Sequence, residues 1–201
     1  MLPLGRYLFK RADSDDEIEQ IHRLNYRTFV EEIPQHAADE PGRLVDKFHA
    51  KNTYFVAVSE GCVVGMISVH DQSPFSVASR LPDPTVLDHP EKRQLEVRLL
   101  AVEPSHRGGP VMIGLLWMAL EYAQQRYDEV YISGVVERVP MYERLGFRSL
   151  GPAIADGTAA FVPMRVSFPL VERVAKLARL WMSRMNRLAG AAGKSMADER
   201  R

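Results

Sequence analysis

The sequence predicts an α/β fold in which helices pack on a central β-sheet, and two observations lead to this class. Residues 94–102 alternate like a strand and run through a basic glycine turn into an apolar helix at 111–123. Two β-branched runs, 54–58 and 63–69, flank a short connection that contains glycine and predict a hairpin. Strands and helices in this order along one chain are typical of a sheet covered by helices.

The composition is that of one globular domain without an overall charge. The chain has 201 residues, of which 46% are hydrophobic, enough for one well-buried core. Lys plus Arg equals Asp plus Glu at 26 each, so the charge gives no reason to expect nucleic-acid or membrane binding. The only cysteine, Cys62, cannot form an internal disulfide, and no uninterrupted apolar run is long enough to span a bilayer. A cytoplasmic location is therefore expected.

The first third of the chain predicts a strand at 7–11 followed by a helix. Ser14 and Glu17 have the spacing of a capping box, and apolar residues at helical spacing continue from there to about Val30. One face of this helix is expected on the sheet. Residues 44–49 are predicted as a short helix that leads into the hairpin.

Residues 73–91 contain four prolines among serines and aspartates, a pattern that predicts a long irregular loop. Such a loop either shapes a substrate entrance or is an uninvolved excursion on the surface, and the sequence leaves both open. After the central strand and helix, the pattern predicts a strand at 129–135, a short helix at 139–145, a strand from Phe147 and a closing strand at 159–167.

The C-terminal part has a different pattern. Residues 168–189 predict an amphipathic helix, because apolar residues recur every three or four positions. The predicted helix is basic, because the segment from Glu172 to Arg187 contains five basic residues and one acidic residue. This helix could pack on the domain or on a second subunit, bind an anionic membrane surface, or hold an acidic partner. Packing is favoured, which includes a possible homodimer. Residues 190–201 are predicted to be disordered.

The turn between the central strand and helix predicts a binding site for phosphate. The first N–H groups of a helix have no partner within it and carry partial positive charge, so an anion is stabilised there. The turn adds the basic side chains of His106 and Arg107 and the permissive backbone of Gly108 and Gly109, directly before the helix that starts at Val111. A phosphorylated ligand is therefore expected at this turn.

Two sequence blocks resemble the GNAT superfamily of N-acyltransferases. Residues 99–108 (LLAVEPSHRG) resemble its acyl-CoA-binding core, and residues 141–147 (MYERLGF) resemble the helix-to-strand motif that closes the same fold. The order of predicted elements also fits over about residues 7–167. The resemblance implies a GNAT-like fold with a central mixed, mostly antiparallel sheet, one acyltransferase domain over residues 1–167, and an acyl-CoA donor.

The resemblance also implies residues that hold the donor. The backbone of Leu100, Ala101 and Val102 would bind the pantetheine arm like an added strand and polarise the thioester carbonyl. Residues 106–109 and Val111 would hold the phosphates. The family usually has small residues where this chain has Pro110 and Met112, which remove an N–H donor and add bulk. Gly109 as the helix cap and Pro110 as the first helical residue would accommodate the change.

Amide formation from a thioester needs a neutral amine and a proton for the departing thiolate. Alternation over 94–102 places Glu96 on the same face as Leu100 and Val102, so Glu96 is the candidate general base; the alternative is a solvated cross-strand charge pair. The resemblance places Tyr142 beside the thioester sulfur as the candidate acid. Its alternative is a tyrosine packed under a short helix.

The first third of the chain has a second, weaker likeness. Residues 26–32 and 46–48, followed by the strand that starts at Tyr54, resemble acyl-homoserine-lactone synthases and related N-acyl amino acid synthases. This GNAT-like branch takes acyl chains from acyl carrier protein, which a basic C-terminal helix could hold. The positions at which those lactone synthases tend to carry arginine or aspartate are here Asn25, His49, Ser68 and Leu99.

Three functions fit these features. The first expectation is an N-acyltransferase that moves an acyl group, most simply acetyl from acetyl-CoA, to a primary amine of a small molecule or peptide. The second is an N-acyl amino acid synthase that uses long-chain acyl-CoA or acyl carrier protein. The third is a sensor that binds an acyl thioester without turnover. The six histidines show no metal-ligand spacing, so no metal site is expected.

Overall fold

The computed structural model describes residues 1–33, 42–124 and 126–168, which form one β-sheet with three α-helices. The helices are α1 (Asp15–Tyr26), α2 (Val111–Gln124) and α3 (Val139–Arg144), and α1 continues as a π-helical turn, Arg27–Glu32. The strands are β1 (Leu2–Leu4), β2 (Tyr7–Arg11), β3 (Thr53–Ser59), β4 (Cys62–His70), β5 (Gln94–Val102), β6 (Glu129–Val135), β7 (Arg148–Ser149), β8 (Ile154–Asp156) and β9 (Ala159–Ser167).

The nine strands form a mixed, mostly antiparallel sheet. Their order is β1-β2-β3-β4-β5-β6-β9-β7, and β8 pairs with β9 beside β7. Each strand from β1 to β4 pairs with the next one along the chain in antiparallel fashion. β5 and β6 form the parallel pair, with α2 as the crossover between them. The mixed, mostly antiparallel GNAT-like sheet that the sequence predicts is confirmed.

Helix α1 begins where the sequence predicts it. The Ser14 side chain accepts a hydrogen bond from the Glu17 N–H at 3.3 Å, and the Glu17 carboxylate accepts one from the Asp13 N–H at 3.0 Å. One turn further on, Ile21 and Leu24 are buried against β3, β4 and β5. The capped helix therefore covers one face of the sheet with its apolar side.

Helix α2 lies on the opposite face and approaches the sheet closely. Leu115 and Trp117 pack in the larger core cluster, and a Cβ atom at Gly114 would lie less than 3.0 Å from three ring carbons of Phe9 in β2. A Cβ atom at Gly65 in β4 would meet the Val111 side chain in the same way. Glycine at these two positions allows the helix and the sheet to touch.

The strands β5 and β6 separate after only three pairs of residues. Their pairing runs from Gln94 opposite Glu129 to Glu96 opposite Tyr131, and it ends there. Beyond this point β5 stays paired with β4, and β6 stays paired with β9. The sheet therefore opens between β5 and β6, while β4 keeps β5 in the sheet and β9 keeps β6 in the sheet.

A β-bulge in β5 reverses the expected alternation of side chains. The register between β4 and β5 shifts opposite Leu99, which has a positive φ of 54°. Leu95 therefore packs in the same core cluster as Leu100 and Val102, whereas Leu99 packs on the α1 side. The expectation that Glu96 shares a face with Leu100 and Val102 is wrong, because the bulge adds one residue between them.

The structure differs from the sequence predictions at two further places. Strand β1, which contains Pro3, is not among the strands that the sequence predicts. The short helix predicted at 44–49 is wrong, because the Asp46 carboxylate accepts from the Phe48 N–H at 3.3 Å and the Asp46 carbonyl accepts from the His49 N–H at 2.8 Å. These bonds form a turn, and only a 3₁₀ turn, His49–Lys51, follows.

The predicted strand from Phe147 is the two-residue strand β7. The loop 73–91 contains two 3₁₀ turns, Ser76–Arg80 and Pro84–Leu87. Apart from Phe168, the C-terminal helix predicted at 168–189 and the tail at 190–201 lie outside the described residues. No helix in the described ranges is long and apolar enough to cross a membrane.

Gly114→Ala tests the close contact between α2 and β2. The added methyl group must displace the Phe9 ring, which is fully buried, and overpacking of this kind costs about 1 to 3 kcal/mol, whereas alanine in a helix regains up to about 1 kcal/mol. We expect a net loss of about 1 to 2 kcal/mol in the free energy of unfolding, measured in urea. Gly109→Ala is the control, since its Cβ would meet its nearest neighbour at 3.6 Å. Equal stability of both variants would contradict the contact.

Candidate functional site

A cavity of about 420 Å³ lies where β5 and β6 separate. Leu100 and Leu116, which pack on the α2 side of the sheet, form part of its wall. Phe29 and Leu99, which pack on the α1 side, form another part. The cavity therefore passes between the two strands and reaches both faces of the sheet.

The wall on the α2 side is apolar. It is formed by Ile67, Val97, Leu100, Leu116, Ile132 and Tyr142. The β6-facing edge of β5 beyond Glu96 is not paired with another strand in the described ranges, so its N–H and C=O groups can pair with an extended ligand. This edge includes the expected pantetheine-binding residues Leu100, Ala101 and Val102, whose role stays a prediction.

Three basic side chains, Lys47, Arg80 and Arg98, line the same cavity. Arg98 donates to the Asp46 carboxylate at 2.7 Å, and its guanidinium group lies 4.6 Å from the centre of the Phe48 ring. These contacts hold Arg98 in one orientation beside the bulge.

The two arginines that line the cavity, Arg80 and Arg98, each have an N–H donor that their ion pairs do not use. Arg80 donates through Nη2 to Asp156 and lies over the Phe161 ring. The Nε–H groups of Arg80 and Arg98 are buried, and neither makes a hydrogen bond to the part of the chain that the structure describes. A buried unsatisfied donor is unfavourable, so a bound anion or carbonyl group would be stabilised here. Arg80 belongs to the loop 73–91, which favours the interpretation of this loop as part of a substrate entrance.

Tyr142 lies in the apolar wall, where the sequence places a candidate acid. The helix α3 positions it, and its ring packs so close to β6 that a Cβ atom at Gly134 would lie 2.9 Å from it. Burial raises the pKa of the Tyr142 hydroxyl, and the positive charge of Arg138 opposes this only in part. Tyr142 is therefore protonated near neutral pH and can donate a proton into the cavity.

Glu96 lies next to the cavity and is 1% exposed. Its carboxylate accepts hydrogen bonds from His70 Nε2 at 2.9 Å, from the N–H and hydroxyl groups of Ser76 at 2.7 and 2.6 Å, and from the Val77 N–H at 2.8 Å. Burial by itself would raise the pKa of Glu96, but these bonds and the charge of Arg98 hold the pKa below its usual value. The carboxylate is thus ionised, and its role as general base stays a prediction.

The expected phosphate turn has a cap one residue later than the sequence suggested. The Pro110 carbonyl accepts from the Gly114 N–H at 2.8 Å, so Pro110 caps α2 and Val111 is its first residue. The proline ring therefore occupies a position that needs no helical N–H. Gly108 has a φ of 74°, which glycine adopts without strain.

The basic side chains of this turn are already paired. Arg107 donates to both carboxylate oxygens of Glu32 at 2.5 and 2.6 Å and to the Val102 carbonyl at 2.8 Å. His106 Nδ1 lies 3.1 Å from the Tyr7 hydroxyl. The phosphate-binding roles of His106, Arg107, Gly108, Gly109 and Val111 stay predictions.

Helix α1 has two buried polar side chains on the face that packs on the sheet. His22 and Asn25 are each 1% exposed, and the ring of His22 contacts the ring of His49 at 4.9 Å between centres. His22 Nδ1 and both polar atoms of the Asn25 amide are buried without a hydrogen-bond partner. Burial, together with the nearby His49, lowers the pKa of His22 to about 4. His22 is therefore neutral in the folded protein near neutral pH.

Sequence reasoning missed much of the polar wall of the cavity. The site residues that the sequence predicts do not include Lys47, Ser76, Arg80 or Arg98. They also do not include His70, which is buried against Glu96. One feature of the sequence could have pointed to Ser76 and Arg80: both belong to the loop 73–91, which the sequence predicts as a possible substrate entrance. Within residues 1–33, 42–124 and 126–168, no three His, Cys, Asp or Glu side chains are grouped so as to hold a metal ion.

Solved structures share this fold at low sequence identity. The acyl-homoserine lactone synthase BjaI has a TM-score of 0.69 at 18% identity, covering 88% of this chain and 90% of that chain. FeeM, an N-acyl amino acid synthase from uncultured soil microbes, has a TM-score of 0.64 at 19% identity, covering 87% and 98%. An acyl-CoA N-acyltransferase from Pseudomonas aeruginosa has a TM-score of 0.55 at 16% identity, covering 80% and 98%.

The mixed sheet that opens between its parallel strands and the similarity to these structures give the fold class, which is the GNAT fold. The family can be stated more narrowly. The family model described as N-acyl amino acid synthase FeeM matches residues 20–167, so the chain belongs to the FeeM family. A comparison with curated protein sequences gave no significant match.

His22→Phe tests the neutral histidine beneath α1. In the unfolded chain His22 takes up a proton below about pH 6.5, whereas in the folded chain it does so only near pH 4, so the wild type loses stability as the pH falls across this window. We expect His22→Phe to reduce this loss by about 2 to 3 kcal/mol. Urea unfolding at pH 7 and pH 4.5 measures it. His89→Phe, at a partly exposed histidine, is the control, and equal pH slopes in His22→Phe and wild type would contradict the assignment.

Proposed function

We propose that this protein transfers an acyl chain from a thioester to the amino group of an amino acid, which yields an N-acyl amino acid and a free thiol. The observation that carries the proposal is the cavity between β5 and β6, because it joins an apolar wall to three basic side chains. An amino acid acceptor brings a carboxylate for the basic residues, and an acyl chain suits the apolar wall. The FeeM family to which the chain belongs has the same kind of product in its name.

The acceptor carboxylate is assigned to Arg98 and Arg80. Each has a buried Nε–H group without a partner, and each is held by an aspartate that leaves this donor unused. Lys47 adds a third positive charge to the wall. An acceptor held by its carboxylate has its amino group fixed in position, and such positioning supplies much of the rate of an acyl transfer.

A longer acyl chain is favoured over acetyl. The cavity of about 420 Å³ is within the usual range for pockets that hold drug-sized ligands, and its apolar wall on the α2 side offers a contact surface for an acyl chain longer than acetyl. The donor is an acyl-CoA or an acyl carrier protein, since both carry the same phosphopantetheine arm. That arm would pair with the free edge of β5 and bring the thioester to Tyr142.

Each chemical step has a candidate group. Backbone N–H groups of β5 beyond the bulge would stabilise the oxyanion of the tetrahedral intermediate. Tyr142 would protonate the departing thiolate, and Glu96 would act as the base. A long acyl chain and an amino acid acceptor thus replace the simplest expectation, acetyl transfer to any primary amine.

Product analysis tests the proposed function. Purified protein is incubated with the twenty amino acids and with acyl-CoA of two to sixteen carbons, in parallel with acyl carrier protein that bears the same chains. We expect mass spectrometry to detect N-acyl amino acids, with rates that increase with chain length from acetyl. Tyr142→Phe should lower the rate about 100-fold or more, as expected for loss of an acid. Acetylation alone, or no product from any pair, would contradict the proposal.

Arg98→Gln tests the carboxylate site. A hydrogen bond to a charged group contributes about 1.5 to 3 kcal/mol, so we expect the KM for the amino acid to rise about 10- to 100-fold while the KM for the donor stays unchanged. Arg93→Gln is the matched control, because Arg93 forms an ion pair with Asp128 at 3.0 Å outside the cavity. A higher KM for the donor in Arg98→Gln, or no change at all, would contradict the assignment. Thermal unfolding checks that both variants fold.

A further inference from the structure

Ser76 lies between the buried Glu96 carboxylate and the cavity. Its hydroxyl donates to Glu96 Oε1 at 2.6 Å, and Ser76 itself lines the cavity. Glu96 is 1% exposed and is not among the lining residues. A substrate amine in the cavity is therefore separated from Glu96 by this one hydroxyl group.

The Ser76 hydroxyl is not required to hold the carboxylate in place. Three other donors bind it: the backbone N–H groups of Ser76 at 2.7 Å and Val77 at 2.8 Å, and His70 Nε2 at 2.9 Å. These donors remain when the Ser76 side chain is removed. The hydroxyl is thus free to carry a proton without loss of the geometry of Glu96.

His70 Nε2 contacts Glu96 Oε2 at 2.9 Å, whereas the Ser76 hydroxyl binds the other oxygen, Oε1. The Nδ1 atom of His70 lies 3.1 Å from the Gln72 carbonyl, so the imidazole ring is held at both nitrogens. The rings of Phe48 and Phe75 pack against His70 at 5.3 and 5.6 Å between centres. His70 is buried and does not line the cavity, so it can orient Glu96 but cannot contact a substrate there.

We propose that Ser76 is a catalytic residue that relays the proton of the attacking amine to Glu96, and that His70 is the positioning residue for Glu96. The inference rests on the proposed function and adds to it the path of the proton. The hydrogen bond from the Ser76 hydroxyl to Glu96 supplies the inner half of this path without a change in side-chain positions.

The step balances as follows. The neutral amine attacks the thioester carbon, and as the N–C bond forms the nitrogen becomes acidic and its proton passes to Ser76 Oγ. The Ser76 hydroxyl proton passes at the same time to Glu96 Oε1. The C–S bond then breaks, and the thiolate takes a proton from Tyr142. After the products leave, Glu96 loses one proton and Tyr142 regains one through the water that fills the cavity.

Ser76→Ala and Ser76→Thr test the relay. We expect Ser76→Ala to lower kcat about 10- to 100-fold, because water replaces the hydroxyl only in part, while the KM values for acyl-CoA and amino acid stay within about twofold. Ser76→Thr keeps the hydroxyl group and should restore most of kcat. Ser149→Ala is the control, since the exposed Ser149 hydroxyl donates to the Gly151 carbonyl at 2.7 Å and does not line the cavity. It should keep a kcat near that of wild type.

A double-mutant cycle with Glu96→Gln separates a relay from a structural role. If the two residues act on one proton, Ser76→Ala should cost little in a Glu96→Gln background, so the double variant should be about as slow as Glu96→Gln alone. Should Glu96→Gln fail to fold, the Ala and Thr variants of Ser76 still decide the matter.

Several results would overturn the relay. A Ser76→Ala enzyme with the kcat of wild type, a Ser76→Thr enzyme as slow as Ser76→Ala, or additive losses in the double variant would each do so while the proposed function stands. If the wild type forms no N-acyl product with any pair of substrates, the proposed function and the relay fail together.

Discussion

The architecture of the site depends on one constraint: β5 can pair with β6 only as far as Glu96 and Tyr131. Because β4 holds β5 on one side and β9 holds β6 on the other, the two strands diverge without either losing its place in the sheet. The gap leaves a row of backbone groups without strand partners and a channel from one face of the sheet to the other. The pantetheine, acyl and acceptor sites proposed above all lie along this gap.

The bulge at Leu99 determines which side chains face the two halves of the channel. It places Leu100 and Val102 on the α2 side and leaves Arg98, before it, beside Asp46 and Phe48. A regular strand would have continued the alternation and placed Leu100 on the face of Glu96. The one-residue insertion therefore separates an apolar wall from a charged one within a single strand.

The sequence was sufficient for the elements that local patterns define. Hairpin β3–β4, strand β5 and helix α2 follow from alternation, a glycine turn and a continuous apolar run, and Ser14 with Glu17 gives the start of α1. Tyr142 could be placed in the cavity from its motif alone. In these cases the residues that determine the structure are neighbours along the chain.

The rest depends on contacts between distant residues. Leucine rarely adopts a positive φ, so nothing in the sequence at Leu99 predicts a bulge. Strand β1 has three residues, one of them Pro3, and it forms only because β2 pairs with it. Ser76 and Arg80 belong to a loop whose proline content predicts irregularity but not the cavity that it reaches. Their partners, Glu96 and Asp156, are 20 and 76 residues away in the chain.

The ion pair between Arg107 and Glu32 neutralises the charge of the Arg107 side chain in the turn before α2. Both oxygens of the carboxylate occupy the two ends of the guanidinium fork, which is the geometry that a phosphate would use. A phosphate that bound at this fork, as the sequence predicts, would exchange with an internal anion, so its binding free energy would be the difference between two ion pairs. Because Glu32 ends the π-helical turn after α1, such an exchange would also release the contact that this turn makes with Arg107.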